Sequence, residues 1–434
     1  MLRFALATML ASVCPHFLCL GQTSPGPDSE STGETARLPR WLHLGAELRA
    51  RTDFAADDGQ TARTALFLNR LRLNISVEPT NWFRLYFQGQ DAEAFSPVSG
   101  QGTEALRNRA DIRLGYAELG RSEVGWTARL GRQELSIGDE RLVAADNEWD
   151  TLGQSFDAVS LDWRRAEFHL WTFTGFRVEP RRRRPDPFDT ASRISGVTFA
   201  WDRGGSGLVQ PYLLWKRGGE TFDLQGHAGH RDVAVPGLLV HGVLPAAFDY
   251  SVEVAMERGH VADEPMRAWA GHWEIGWRPF GSGTGVRIDA EYNHASGDRD
   301  CADGQHGTFD DLYPAGFNRY GMADPFAWRN IRYPEVAIAA PVSRRWSMSA
   351  GVRAYWLADR KDALYQQGEE EVAHVSNATS TWVGNHLHVS LAYRHSVRWR
   401  LAGGYARLQA GDYLRQAQLA GGANGVYGLI LYSR

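Results

Sequence analysis

Lysine is almost missing from this 434-residue chain: it stands at positions 216 and 361, and every other one of the 47 basic residues is arginine. An ammonium is a compact point charge, whereas the planar guanidinium fork matches a carboxylate with two parallel hydrogen bonds, so the choice of base already favours anion recognition. Cysteine is nearly as scarce. Cys14 and Cys19 lie in an apolar N-terminal stretch, which leaves Cys301 and excludes an internal disulfide or a thiolate metal site in the mature chain. The balance of 47 basic against 51 acidic residues, a net charge of -4, excludes a global nucleic-acid footprint. Past the leader there is no apolar run of 18 residues and no sustained 3.6-residue periodicity, which excludes helical membrane spans and a helical covering layer. The 14 histidines show no zinc-ligand spacing with a supporting base, and no Ser-His-Asp order stands out, so no enzyme activity, cofactor or metal is expected.

What is present is strand after strand. Arg3 and the apolar run from Phe4 to Leu20 read as a secretory signal peptide over residues 1–21, followed by a Ser-, Gly- and Pro-rich disordered periplasmic leader over 22–40. From there alternating segments are expected near 41–52, 66–77, 82–91, 110–119, 125–135, 155–164, 167–176, 193–202, 207–216, 231–241, 249–258, 267–277, 284–294, 331–341, 346–357, 381–394, 398–409 and 422–432. In the second of these, Leu71, Leu73, Ile75 and Val77 oppose Arg70, Arg72, Asn74 and Ser76.

Connections after even-numbered segments are mostly tight, such as Glu78-Pro79-Thr80-Asn81, while those after odd-numbered ones run longer, with 136–154, 295–330 and 358–380 the longest. Short turns at one end and long loops at the other predict an all-β fold: one closed antiparallel transmembrane barrel over 41–434, about 18 strands, with periplasmic turns and extracellular loops. Closure leaves no unpaired edge in hydrocarbon. Tryptophans near strand ends, Trp41, Trp82, Trp126, Trp163, Trp201, Trp277, Trp346 and Trp356 among them, suit the membrane interfaces. A large soluble β-protein is the alternative, but it would need a second layer that the chain does not supply. The expected setting is the outer membrane of a Gram-negative-type bacterium, with lipid and lipopolysaccharide around the wall.

By parity, Glu47, Arg49 and Arg51, then Arg70, Arg72, Arg84, Arg113 and Arg129, face the lumen, and Leu71, Leu73, Leu85, Leu114 and Leu130 face lipid. Charges of one sign along a low-dielectric passage enrich the opposite ion. The plainer reading is that these arginines pair with acids such as Glu47, Asp111 and Glu118 and only satisfy a buried wall.

Gly131-Arg132-Gln133-Glu134-Leu135, Gly138-Asp139-Glu140-Arg141-Leu142 and Gly153-Gln154-Ser155-Phe156-Asp157-Ala158-Val159 closely resemble a strand, outer loop and next strand of the alginate-export family of outer-membrane barrels. Weaker blocks continue to the end, among them Gly307-Thr308-Phe309-Asp310, Asp362-Ala363-Leu364-Tyr365 and Gly411-Asp412-Tyr413-Leu414. The resemblance implies passage of an anionic polysaccharide, such as an alginate-like polyuronate, outward through an arginine-lined constriction, with periplasmic export partners governing access. Arg129, Arg132, Asp139, Glu140, Arg141 and Asp157 then mark the narrowest region, if the 136–154 loop folds inward; Arg132, Asp157 and Arg141 would alternatively form a structural ion network at the loop base.

A porin selective for small anions, organic acids or other oligosaccharides is the alternative function. A wide permanent opening favours it, and loops plugging the lumen favour the polymer exporter. Arg181 to Arg184 are expected outside the cell, where they would meet surface glycans or water. Asp298, Asp300, Asp303, Asp310 and Asp311 are dense enough for an external calcium clamp, but their spacing misses the twelve-residue calcium loop.

Overall fold

The computed structural model describes residues 38–434 apart from 58–62, 99–102, 121–123, 145–150, 182–185, 223–225, 282–284, 315–325, 367–369 and 420. The expected signal peptide, nearly all of the leader and Arg182 to Arg184 lie outside the described residues. The strands run β1 Leu42–Asp57, β2 Arg63–Thr80, β3 Phe83–Phe95, β4 Asn108–Leu119, β5 Gly125–Gln133, β6 Phe156–Arg165, β7 Phe168–Val178, β8 Phe188–Asp202 and β9 Gly207–Phe222. They continue as β10 Ala228–Leu244, β11 Phe248–Val261, β12 Glu264–Trp277, β13 Arg287–Ala295, β14 Ile331–Pro341 and β15 Trp346–Leu357. A small hairpin, β16 Leu364–Tyr365 with β17 Glu371–Ala373, sits in the next loop. The sequence closes with β18 Trp382–Arg394, β19 Trp399–Ala410, the short helix α1 Asp412–Gln416 and β20 Ala423–Ser433.

Leaving aside β16 and β17, these are the 18 strands of one sheet in which each strand pairs antiparallel with the next. β20 returns to pair with β1 from Glu47↔Ser433 to Asp57↔Ala423, which closes the barrel. Several strands outrun the alternating segments of the sequence, β9 to Phe222 and β10 from Ala228 for example. Beyond the hydrocarbon, water covers both faces of a strand, so alternation fades while backbone pairing persists. One long-side connection is short after all: β11 and β12 are joined by Ala262 and Asp263 alone, Ala262 taking a positive φ of 49°.

The outward face is apolar. Leu44, Leu48, Leu71, Leu73, Ile75, Leu130, Val159 and Val352 are exposed. On the short-turn side, Trp126–Trp163, Phe248–Trp277, Trp346–Tyr393 and Trp399–Tyr432 form ring pairs with centroids 6.1, 5.9, 4.7 and 4.8 Å apart, as an interfacial girdle requires. Leu114 departs from the expected lipid face and is buried. Irregular pairing of β3 with β4, in which Gln88 opposes Leu114 but Gly89 opposes Ile112, takes up an extra residue at Arg113 and turns Ile112 outward in its place.

The lumen holds a second core that parity did not anticipate. The described parts of the loop after β5, 134–144 and 151–155, and the segment 296–314 fold inward, and the two loops bind each other through Ala144 N–H to Tyr313 O (3.0 Å) and Tyr313 N–H to Leu142 O (2.8 Å). Their Leu135, Ile137, Leu142, Val143, Phe309 and Tyr313 pack with Phe156 and Trp328 against inward-facing Ile194, Leu214, Val233, Val235 and Ala268. Each large side chain so buried contributes about 1.5–3 kcal/mol, so the plug is a cohesive body.

Candidate functional site: a basic wall facing an acidic one

The inner face of β1–β5 carries seven arginines in two tiers. Under the plug, Arg49 (0% exposed), Arg51, Arg70, Arg72 and Arg113 are buried. Arg49 and Arg70 oppose each other across the β1–β2 ladder. Such a like-charged pair is tolerated only with acceptors at hand: Arg70 donates to Glu47 Oε1 (2.7 Å), Arg49 to Thr151 Oγ1 of the plug (3.1 Å), Arg51 to Asp53 (2.7 Å) and Arg72 to Gln90 Oε1 (2.7 Å). Arg113 donates to Gln88 Oε1 (2.6 Å) and to Glu134 at the root of the plug.

Nearer the short turns, Arg84 and Arg129 are accessible, with side chains 25% and 33% exposed. They bracket a stack of two rings: Arg84 lies 4.9 Å from the Tyr86 centroid, Tyr86 and Tyr116 are 5.2 Å apart at 27°, and Arg129 lies 4.5 Å over Tyr116. Nε and Nη2 of Arg129 hold Glu118 Oε2 at 3.1 and 2.6 Å. Arg129 also lines a cavity of about 780 Å³ on the short-turn side, together with Glu78, Ser136, Ser160, Asp162, His169 and Trp171.

The opposite wall is acidic, which the sequence reading missed. Asp249, Glu253 and Glu257 on β11, Glu274 on β12, Asp289 and Glu291 on β13, and Glu335 on β14 share the inward face. Arg287 reaches Asp249 (2.9 Å), Asp289 (2.9 Å) and Glu274, and Arg353 pairs with Glu335. Walls of opposite sign facing each other set up a field across the lumen. His272, Glu274 and Glu291 lie close enough to share an ion, but Arg141 Nη2 already stands 3.0 Å from His272 Nε2.

The plug is tied across this field at two points. Arg141 crosses from the 134–155 loop to His272 and to Asn293 Oδ1 (3.5 Å). In the 296–314 segment the buried Asp310 meets three cations of the wall and its own loop, Lys216 (2.8 Å), Arg231 and Arg329 (3.0 Å). The same carboxylate accepts Leu312 N–H at 3.0 Å, and Asp310 N–H donates to Glu257 Oε2 at 2.9 Å. Asp298 spends its oxygens on Asp300 N–H and Gly307 N–H, both at 2.8 Å. The acidic cluster of this loop is thus committed to folding the loop and does not converge as a calcium clamp.

The model of the family described as "Alginate export" matches residues 40–425. The chain belongs to the alginate-export family. No curated protein matches this family member. Its barrel is similar to solved structures from Pseudomonas aeruginosa. To OpdQ the TM-score is 0.62 at 10% identity, over 91% of this chain and 98% of that one. To OpdO it is 0.60 at 12% identity, over 91% and 97%. To OccK2 (OpdF), solved in complex with glucuronate, it is 0.62 at 10% identity, over 90% and 96%. Fold and family make this an outer-membrane β-barrel channel.

Of the residues singled out in the sequence, Arg49, Arg70, Arg72, Arg84, Arg113 and Arg129 share one inner wall. Asp139 lines a second, smaller cavity with Asp249 and Glu274, and Glu140, at a positive φ of 63°, accepts Ser136 Oγ–H at 2.6 Å. Arg132 and Asp157 do not belong to the constriction. They lie on the outward face with Leu130 and Val159, paired through Nε–Oδ1 at 3.0 Å and Nη2–Oδ2 at 3.1 Å. There Arg132 closes a seam. The β4–β5 ladder stops at Gly115↔Arg132, and the guanidinium donates onward to Ile112 O (3.0 Å) and Asp186 O (2.8 Å). Gly131 begins this seam at φ 122°, where a Cβ would stand 2.4 Å from Gly115 O.

Proposed function

We propose that this family member is a channel selective for small organic anions of the sugar-acid class, with the arginine wall of β1–β5 carrying the selectivity. The observation that carries the reading is the pairing of that wall with an acidic one, so that the accessible Arg84 and Arg129 stand on the favourable side of the field. A carboxylate moving along this side exchanges one arginine fork for the next, and several moderate sites in series allow conduction where one tight site would trap. The similar OccK2 barrel was solved with glucuronate, a ligand of this class.

Export of a polyuronate is the finer reading that the family description invites. Inward-folded loops do not by themselves favour it. The plug is cemented by an apolar core and by the Asp310 cluster, and a cemented plug narrows a passage without opening it for a polymer. Planar-bilayer recordings under a salt gradient test the proposal: anion preference that falls with ionic strength supports it, and cation preference in the unmutated protein refutes it.

A further inference from the structure

Sixteen tryptophans occur in the chain, and most of those described lie on the outward face. Trp328 is buried in the plug. Trp171, by contrast, lines the 780 Å³ cavity on the inner face of β7. An indole there serves neither lipid nor an interface. One side of it rests on Phe173, with centroids 4.6 Å apart at 32°, it packs in part against the inner core, and it borders the cavity.

The register places its neighbours. Across β5, β6 and β7, Thr127, Asp162 and Trp171 form one row, and Arg129, Ser160 and Phe173 form the next. Two strand spacings are about 10 Å, so an indole and a guanidinium two strands and two residues apart flank a gap the size of one sugar ring. His169 stands beside them with its Nε2 2.6 Å from Asp162 Oδ2, a polar pair suited to vicinal hydroxyls. Arg129 uses Nε and Nη2 on Glu118, and its Nη1 makes no protein hydrogen bond among the described residues.

We infer that Trp171 and Arg129 form a subsite for a single carboxylate-bearing pyranose, the apolar face of the ring on the indole and the carboxylate at Nη1 of Arg129. The inference rests on the proposed anion channel and adds ring recognition to charge recognition. The cavity volume is in the range of small-molecule sites, and its lining apart from Trp171 is polar, as the hydroxyls and carboxylate of a sugar acid require. The aromatic face rejects an open-chain acid of equal charge, because a flexible chain offers no flat apolar surface to stack.

Block of the ion current in planar bilayers tests this with three probes: glucuronate, open-chain gluconate of the same charge, and uncharged glucose. The unmutated channel is expected to hold glucuronate most tightly. Trp171→Ala should weaken glucuronate block roughly threefold to tenfold, down to the gluconate level, while leaving gluconate block and the anion preference unchanged. Trp171→Phe should keep most of the discrimination, and this variant guards against a fold defect in the alanine protein. Equal weakening for glucuronate and gluconate, or no weakening in Trp171→Ala, overturns the subsite while leaving an anion channel. Cation preference in the unmutated protein overturns both.

Discussion

Replacing Asp310 by Asn removes one charge and almost no volume, yet it acts where three cations converge. Lys216, Arg231 and Arg329 are each nearly fully buried, and all three hydrogen bond the Asp310 carboxylate. An amide keeps an oxygen for Leu312 N–H, so the loop backbone retains its local bond. What is lost is the charge compensation. Breaking a buried pair by neutralising one partner costs about 3–5 kcal/mol. With three cations left facing one another, the variant is expected at the upper end of that range. Detachment of the 296–314 segment from β9 and β10 relieves the repulsion, so Asp310→Asn channels should show larger and noisier single-channel currents together with a lower urea midpoint. Adding Lys216→Met, which removes one of the stranded charges at similar volume, should restore part of both. Unchanged conductance, noise and midpoint in Asp310→Asn would refute the argument that this cluster holds the plug. The acid response follows from the same contacts. Burial alone would raise the Asp310 carboxyl, but Arg231, Lys216 and Arg329 hold it well below the ordinary carboxylate range. A depressed folded value stabilises above the unfolded value near 4 and is lost only as pH falls through the folded value, so current noise should stay flat from pH 7 to about pH 4.

Asp186, in the loop after β7, titrates the other way: burial first, and then its hydrogen bond with the Asp111 carboxyl, push it up to about 7. A raised folded value stabilises fully below the unfolded value near 4 and is lost as pH rises through about 7, so the urea midpoint should decline over that window, and Asp186→Asn should flatten the decline. A wild-type midpoint that rises across the same window contradicts this. Arg132→Gln should lower stability by about 1–3 kcal/mol, the worth of charged hydrogen bonds, through the β4–β5 seam, and should leave ion selectivity untouched. A shift in reversal potential in that variant would place Arg132 in the permeation path after all.

The strand count and the lipid face were legible because hydrocarbon enforces alternation on every strand it touches. Leu71, Leu73 and Ile75 follow that rule. The rule fails at Leu114, where irregular pairing adds a residue that no alternation records. Arg132 belongs to the outward face by the same alternation. It stands three residues from Arg129, and a period of two sends such a pair to opposite faces. The acidic wall was equally readable, since Asp249, Glu253 and Glu257 are spaced by four. The plug was harder to see, because loop residues carry no period. Its one trace is in the strands it covers: Leu213-Leu214 on β9 and Val233 to Leu239 on β10 are apolar on both faces, which a strand between lipid and water has no reason to be.

If accessible arginines on one wall set an anion preference, the reversal potential under a tenfold salt gradient reads it without an intermediate step. Arg84 and Arg129 are the pair to change, since Arg132 faces outward and the other five arginines of the wall are buried under the plug. The unmutated channel is expected to reverse on the anion side, with the preference shrinking as salt rises and screening shortens the reach of the wall. Arg84→Gln combined with Arg129→Gln should move the reversal potential toward zero. A wild-type channel that reverses on the cation side, or a double variant with undiminished anion preference, would contradict the account.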